Sequence, residues 1–75
     1  MKVVAFILIV SELGVEREVV REALKIPGVV EARLLFGEYD VLVRAEVSNI
    51  DELDRVVTTI RGTKGVVKTV TLISS

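Results

Sequence analysis

The first third of the chain contains an unbroken apolar run, followed by a segment in which apolar and charged residues alternate. The segment from Lys2 to Val10 is apolar without polar alternation, which predicts a central strand that is buried on both faces. From Val15 to Lys25 the apolar residues follow the spacing i, i+4, i+5, i+8, i+9, and charged residues fill the gaps, so this segment predicts an amphipathic helix. Pro27 and Gly28 end that helix, since proline cannot continue it and glycine permits a turn.

The middle of the chain predicts a β-hairpin. Val29 to Phe36 is typical of a strand that has one apolar face, formed by Val30, Ala32, Leu34 and Phe36. Val41 to Val47 alternates in the same way. The polar residues Gly37 to Asp40 leave only a short connection between these strands, so we expect the two strands to be antiparallel.

The last third of the chain predicts a second helix and a fourth strand. Asn49 and Glu52 resemble a capping box, and an apolar stripe at helical spacing follows, formed by Ile50, Leu53, Val56, Val57 and Ile60. Gly62 and Gly65 flank the exit from this helix. Val66 to Ile73 then alternates as a strand, in which Thr69 and Thr71 share one face.

An internal repeat with an offset of 37 residues supports this division. Val19-Val20 matches Val56-Val57, and Gly28-Val29-Val30 matches Gly65-Val66-Val67. Two βαβ halves with right-handed crossovers give the order βαββαβ. We therefore predict an α+β, ferredoxin-like sandwich in residues 1–75, a single domain with a four-stranded antiparallel sheet and two helices on one face.

One face of the predicted sheet lacks a cover. Both helices lie on the other face, yet the first strand is apolar on both of its faces. We therefore expect Phe6, Leu8 and Leu42 to lie in a two-fold, sheet-on-sheet dimer interface. Small domains are usually stabilised by disulfides, a metal or self-association. The absence of Cys and His excludes the disulfides and the thiolate or imidazole metal sites.

Charge and composition narrow the classes of partner. The net charge is −1, from ten basic and eleven acidic residues, so we expect no direct binding of DNA or RNA. RNA-binding modules of this element order stack bases on exposed aromatic residues, and Phe6 is the single aromatic residue available on the central strands. The apolar start is too short to span a membrane, so we expect a cytoplasmic protein. Few Asn and Met residues, no Gln and 28% charged residues are typical of thermophile proteins.

The residues usual in catalysis are scarce. There is no His or Cys, and no Ser or Lys stands beside a recognisable base. Glu38 and Asp40 could in principle serve as an acid and a base, but both residue types are common in hairpin turns. Gly62 and Gly65 lack the strand and helix that a phosphate-binding loop requires. We therefore expect no enzymatic activity, no metal and no cofactor.

The turn from Gly37 to Asp40 allows two interpretations. In one it is a simple turn, with Tyr39 packed at the sheet edge and the carboxylates of Glu38 and Asp40 in water. In the other it lies at a subunit junction, where Gly37 and backbone N–H groups bind a carboxylate and Asp40 binds an ammonium group. Thr69 is an ordinary strand residue, as is Thr71, and both become candidate ligand residues only through their place on the presumed interface face.

Over nearly its full length the chain resembles the C-terminal effector-binding (RAM) domain of Lrp/AsnC transcription regulators, in its stand-alone form. The resemblance rests on the order and spacing of several pieces, which are Ala5-Phe6-Ile7-Leu8-Ile9, Ile26-Pro27-Gly28-Val29, Phe36-Gly37-Glu38-Tyr39-Asp40 with Leu42-Val43, and Gly65-Val66 with Thr69-Val70-Thr71. It implies a domain that dimerises through its sheets, often assembles into octamers of four dimers, and binds a free amino acid between subunits.

The resemblance also implies which residues bind the ligand. Gly37, Tyr39 and Asp40 carry over from the family's turn, Glu38 stands where the family often has Asp, and Thr69 and Thr71 are further candidates. The chain does not contain the family's helix-turn-helix, which argues against direct DNA binding. The predicted function is a stand-alone, amino-acid-binding, oligomer-forming module that modulates full-length Lrp/AsnC regulators. The alternative is a structural dimerisation module with no retained ligand site.

Overall fold

The structure is a computed structural model that describes residues 2–74, so residues 1 and 75 of the predicted domain lie outside it. Six elements follow one another in the predicted order. They are the strand β1 (Val3–Ser11), the helix α1 (Glu16–Leu24), the strands β2 (Val29–Leu34) and β3 (Val41–Val47), the helix α2 (Ile50–Arg61) and the strand β4 (Val66–Ser74). The strand and helix types predicted from periodicity are thereby confirmed.

The four strands form one antiparallel sheet in the order β2-β3-β1-β4. Ile7 of β1 lies opposite Val43 of β3 on one side and opposite Thr71 of β4 on the other. Directly opposed residues project from the same face, and one face is fully buried at Ala5, Ile7, Ile9, Val41, Val43 and Ala45. Both helices cover that face, since each adds buried side chains to the same core: Val19 and Ala23 from α1, and Leu53, Val56 and Ile60 from α2. This is the predicted ferredoxin-like arrangement.

The two helices begin in different ways. Asn49 caps α2 because its Oδ1 accepts the backbone N–H of Glu52 at 2.9 Å. The Glu52 carboxylate in turn accepts the backbone N–H of Ser48 at 3.2 Å. In a standard capping box it would accept the N–H of the cap residue itself, here Asn49. α1 has no side-chain cap, and the Glu16 carboxylate instead accepts the N–H of Gly14 at 3.0 Å. The cap predicted at Asn49 is therefore confirmed.

The strand β2 is less regular than predicted. Its pairing with β3 shifts register after Val29, so Val30 is the extra residue of a bulge and is half-exposed. Phe36 lies beyond the end of the strand and is fully exposed. The prediction of a continuous apolar face from Val30 to Phe36 is therefore wrong, because a bulge inserts one residue without a partner. The apolar face of β2 contains only Ala32 and Leu34.

The other face of the sheet has no helix over it. The alternate residues of β1 project from this face, and all four are only partly buried: Val4, Phe6, Leu8 and Val10. Leu42 of β3 lies directly opposite Leu8 and is also partly buried. The prediction of a central strand that is apolar on both faces, with one face left open within a single chain, is confirmed.

Candidate functional site

Asp40 is the most firmly held residue of the predicted ligand-binding turn. Its backbone N–H donates to the carbonyl of Ile9 at 2.8 Å, and its carbonyl accepts the N–H of Leu35 at 2.9 Å. Its carboxylate Oδ2 accepts the N–H of Ser11 at 2.8 Å. Asp40 therefore joins the end of β1 to the hairpin and has a structural role whether or not it binds a ligand.

A cleft of about 390 Å³ lies beside this turn. Its lining combines two of the predicted site residues, Gly37 and Asp40, with the first turn of α1 and the end of the hairpin: Glu16, Arg17, Leu34, Leu35 and Phe36. The α1 residues were missed at the sequence level, since charged positions of an amphipathic helix are usually solvated. The available signal was the short connection from Ser11 to α1, which holds the start of the helix near the turn.

The charges in this cleft are of both signs. The Arg17 side chain makes no ion pair or hydrogen bond within residues 2–74. One oxygen of Asp40 is used by Ser11, but a carboxylate has about four lone-pair sites, so it can accept further hydrogen bonds. The cleft thus offers a guanidinium group and carboxylates that can bind opposite ends of a zwitterion.

The remaining turn residues lie outside this cleft. Glu38 is exposed and Tyr39 is partly buried, and neither lines the cavity. Gly37 has a φ of 153°, a value that favours glycine, and the space around its Cα is open. The structure therefore brings Gly37 and Asp40 together with α1, and it places Glu38 and Tyr39 on the neighbouring surface.

Thr69 and Thr71 are not on the open face. They pair with Ile9 and Ile7, which are fully buried under the helices, so the two threonines project from the helix-covered side of the sheet. Their predicted place on the presumed interface face is wrong, because alternation defines two sets of residues without saying which set faces the helices. They line a second cleft, of about 510 Å³, together with Val57, Arg61, Val66, Val67 and Lys68. The strand β1 separates this cleft from Asp40.

The open face brings together the three residues predicted for the oligomer interface. Phe6, Leu8 and Leu42 form its apolar part, which Val70 and Leu72 of β4 extend. A row of ion pairs borders this apolar part on the side of β2. The pairs are Lys2–Glu46 at 3.0 Å, Arg44–Glu46, Arg44–Glu31 at 3.3 Å and Arg33–Glu31 at 2.8 Å. An apolar centre beside a polar margin is the usual composition of a protein interface.

Two other kinds of feature are absent from the part of the chain that the structure describes, residues 2–74. No group of three or more acidic side chains there is placed to hold a metal ion. No helix in the same range is long and apolar enough to cross a membrane.

Sequence comparison relates the chain to known regulators. The family model for the Lrp/AsnC ligand binding domain matches residues 4–75. An uncharacterized HTH-type transcriptional regulator from Pyrococcus horikoshii is 42% identical over 60 residues, which are 79% of this chain and 40% of that protein. A homocitrate synthase from Sulfurisphaera tokodaii is 42% identical over 53 residues, which are 71% of this chain and 12% of the enzyme. The chain thus spans less than half the length of these relatives.

Solved structures share the fold. A hypothetical protein from Pyrococcus horikoshii superimposes with a TM-score of 0.90 at 40% identity, over 97% of this chain and 89% of its own. The transcriptional regulator NMB0573 from Neisseria meningitidis, solved as a complex with L-Met, superimposes with a TM-score of 0.83 at 24% identity, over 97% of this chain and 49% of its own. The matched relatives include thermophilic archaeal proteins, in line with the composition.

Proposed function

Since the chain belongs to the family of Lrp/AsnC ligand-binding domains, we propose that it binds a free amino acid, forms oligomers through its open sheet face and modulates Lrp/AsnC-type transcription regulators. The observation that carries the proposal is the cleft beside the turn, in which Arg17 and Asp40 line one cavity. A free amino acid carries a carboxylate and an ammonium group close together. Such a ligand suits a cavity that is lined by both a cation and a carboxylate.

Each part of the ligand has a partner in this cleft. The Arg17 guanidinium can bind a carboxylate through two parallel hydrogen bonds. The free oxygen of Asp40 can accept from the ammonium group, and Gly37 leaves its backbone open to close approach. Leu34 and Leu35 give the cleft an apolar wall for the ligand's side chain.

A second subunit completes the site in this proposal. Ligand sites bury roughly 70–90% of a small ligand's surface, whereas this cleft is open and its rim residue Phe36 is fully exposed. Closure by another subunit links binding to assembly, and the ligand then favours the assembly state for which it has the higher affinity. Both dimers and octamers of four dimers fit this scheme.

Of the other predicted ligand residues, Thr69 and Thr71 act across the subunit boundary in this proposal. Glu38, Tyr39, Thr69 and Thr71 do not line the turn cleft within one chain. Glu38 and Tyr39 lie next to it along the chain, and the two threonines lie on the far side of β1. The two threonines contact the amino acid only if assembly places them beside the turn of another subunit.

The relatives support the ligand class and the partner class. The fold neighbour from Neisseria meningitidis was solved with L-Met bound, which supports an amino acid as the effector of this chain. The regulator from Pyrococcus horikoshii is matched over 40% of its length, which supports association with full-length regulators through a shared domain. In this proposal the protein acts in the cytoplasm, has no enzymatic activity and does not itself bind DNA.

Calorimetric titration of the protein with each of the twenty amino acids tests the ligand site. We expect one amino acid, or a few of similar shape, to bind. Arg17→Ala should weaken that binding about tenfold or more, because it removes a charge-assisted hydrogen bond. Arg21→Ala, one turn further along α1 and outside the cleft, is the matched control and should bind as wild type. Absence of binding by all twenty, or equal binding by Arg17→Ala, would refute the site.

The alternative function is a structural dimerisation module without a ligand. It is favoured by the fact that both carboxylates of the cleft already accept backbone N–H groups, Asp40 from Ser11 and Glu16 from Gly14. Such a module gives no heat with any amino acid, yet it still forms a stable oligomer.

A further inference from the structure

The two edges of the sheet are built differently. β2, at one edge, has six residues, contains the bulge at Val30 and carries charged side chains that are joined in an ion pair. β4, at the other edge, has nine residues. Its segment Thr69–Ile73 pairs regularly with β1 and contains no proline, bulge or charged residue. Short, bulged and charged edges discourage the addition of another strand, so β4 is the edge that remains open to it.

The cleft of about 510 Å³ lies directly beside β4. Thr69 and Thr71 contribute to it from the helix-covered side of the strand, and Val57 and Arg61 of α2 form the opposite wall. Val57 and Arg61 are four residues apart, so they lie on one stripe of the helix. A groove between a helix and an edge strand is a geometry in which proteins bind extended peptides as additional strands.

The charged residues that line this cleft are both cations. Arg61 of α2 and Lys68 of β4 contribute to it, and no carboxylate does. Lys68 lies opposite Val10, which belongs to the open face, so the two cations lie on opposite sides of the β4 edge. Neither side chain makes an ion pair or a hydrogen bond within residues 2–74. The chain as a whole has a net charge of −1, so this local excess of positive charge is not the average property of its surface. Charge complementarity therefore favours an occupant with carboxylates.

The far end of the same edge is apolar. Ile73 of β4 and Ile50 of α2 are both half-exposed. Ile50 is seven residues before Val57 and lies on the same helical stripe. The surface along β4 thus runs from two cations, near the start of the strand, to apolar side chains near its end.

We propose that the cleft between α2 and β4 binds an extended acidic peptide segment of a partner protein, which adds a fifth strand to the sheet. The peptide backbone pairs with the outer edge of β4, its carboxylates bind Arg61 on the helix-covered side or Lys68 on the open side, and its apolar residues contact the opposite end. A second copy of this chain is a poorer occupant, since its own β4 contains no carboxylate that could bind Arg61 or Lys68. The strand β1 separates the cleft from the turn cleft, so peptide binding here is tested separately from amino-acid binding at the turn, while Thr69 and Thr71 belong to both proposals.

Fluorescence anisotropy with two labelled heptapeptides tests this proposal. One peptide alternates Val and Glu, and the other alternates Val and Lys. We expect the Glu peptide to bind about tenfold or more tightly than the Lys peptide, and its binding to weaken with added salt. Hydrogen exchange should show that the Glu peptide protects the outward-facing backbone amides within Thr69–Ile73, because those amides gain a strand partner.

Charge-reversed variants identify the cleft as the binding site. Replacement of both cations, Arg61→Glu with Lys68→Glu, should lower the affinity for the Glu peptide about tenfold or more. The matched control reverses two cations on α1, Arg21→Glu with Lys25→Glu, and should leave its affinity unchanged. If the double variant does not fold, Arg61→Gln and Lys68→Gln replace it singly and should each give a smaller loss.

Several results would overturn the proposal. They are failure of the Glu peptide to bind, equal affinity for both peptides, equal losses in the α1 control, and protection of amides outside β4. Self-association through β4 would also overturn it, and it would appear as protection of Thr69–Ile73 that increases with protein concentration without any peptide.

Discussion

Gly28 and Gly65 occupy equivalent positions in the two halves of the chain, and each packs against the helix of the other half. Both have positive φ values, 101° and 93°. A Cβ on Gly28 would lie 3.3 Å from Cγ2 of Val56 in α2, and one on Gly65 would lie 3.6 Å from Cγ2 of Val19 in α1. Val19 and Val56 are themselves partners in the 37-residue repeat. The repeat therefore reflects a reciprocal packing of two βαβ halves.

Gly65→Ala should lower the free energy of unfolding by about 2–4 kcal/mol. The new Cβ would lie 2.7 Å from Cγ2 of Val15, and an alanine would also be strained at this positive φ. Urea unfolding at equilibrium measures the loss. Gly14→Ala has a similar φ of 91° but open space, so it should show only the conformational cost, about 1–2 kcal/mol.

Gly62→Ala completes this comparison. Gly62 has a right-handed φ of −87°, and its nearest contact for a Cβ is an ordinary 3.6 Å to the carbonyl of Thr58. This variant should be neutral or more stable by up to about 1 kcal/mol. Equal losses at Gly14 and Gly65 would contradict a role for Gly65 in packing.

Asp40→Ala and Asp40→Asn should differ in stability. Alanine leaves the N–H of Ser11, a residue that is only 7% exposed, without its acceptor, and this should cost about 1–3 kcal/mol. Asparagine keeps an acceptor oxygen at that place and should cost less. Both variants remove the charge proposed to bind an ammonium group, so both should lose amino-acid binding. Thermal unfolding and calorimetry together separate the two roles.

The stability of the protein should depend on pH through Glu46. A hydrogen bond from Lys2 and its positive charge, supported by Arg44, hold the pKa of the Glu46 carboxyl below its ordinary value of 4.5. A carboxylate whose pKa is lower in the folded state than in the unfolded state stabilises the fold at pH values above the unfolded pKa. That contribution is lost as the pH falls from 4.5 through the folded pKa.

Glu46→Gln should therefore flatten the acid side of the stability profile. Urea unfolding of both proteins between about pH 3 and about pH 6 makes the comparison. Glu12→Gln, at an exposed carboxylate outside the ion pairs of residues 2–74, is the control and should keep the wild-type slope. A wild-type slope in Glu46→Gln would contradict the stabilising pair with Lys2.

Phe6→Glu should convert the proposed oligomer to monomers and leave the fold intact. Phe6 projects from the open face directly opposite Arg44, so the new carboxylate gains a cationic neighbour within one chain but is costly to bury between two sheets. Val30→Glu, on the half-exposed bulge of β2, should not change the mass. Light scattering gives the mass and circular dichroism the fold. A Phe6→Glu protein that remains oligomeric would refute the sheet-face interface.

Periodicity predicted the elements well because side-chain burial repeats with the backbone geometry. Periodicity failed to predict burial where a helix ends and where a strand contains an extra residue. Leu24 belongs to the predicted buried stripe of α1 but is half-exposed, whereas Ile26, two residues further on, is buried. α1 ends at Leu24, so the helical period no longer applies to the residues that follow. The bulge at Val30 has the same effect, since a single unpaired residue leaves no trace in an alternating pattern.

Only the part of the candidate site that is formed by residues close together in the sequence could be predicted from the sequence. Gly37 and Asp40 are near each other in the turn, and the structure places both in one cleft. Arg17 joins them through the way α1 lies over the sheet, which no short segment of the sequence encodes. The face of Thr69 and Thr71 depends on the register between β4 and β1. That register is set by contacts between distant segments.

The measurement that tests the central claim most directly is multi-angle light scattering of the purified protein, first alone and then with a mixture of the twenty amino acids. The central claim is that subunits associate through the open face and that an amino acid controls this assembly. It predicts a multiple of the 8.2 kDa chain mass in the first run and a different multiple in the second. A mass of 8.2 kDa in both runs would contradict the claim.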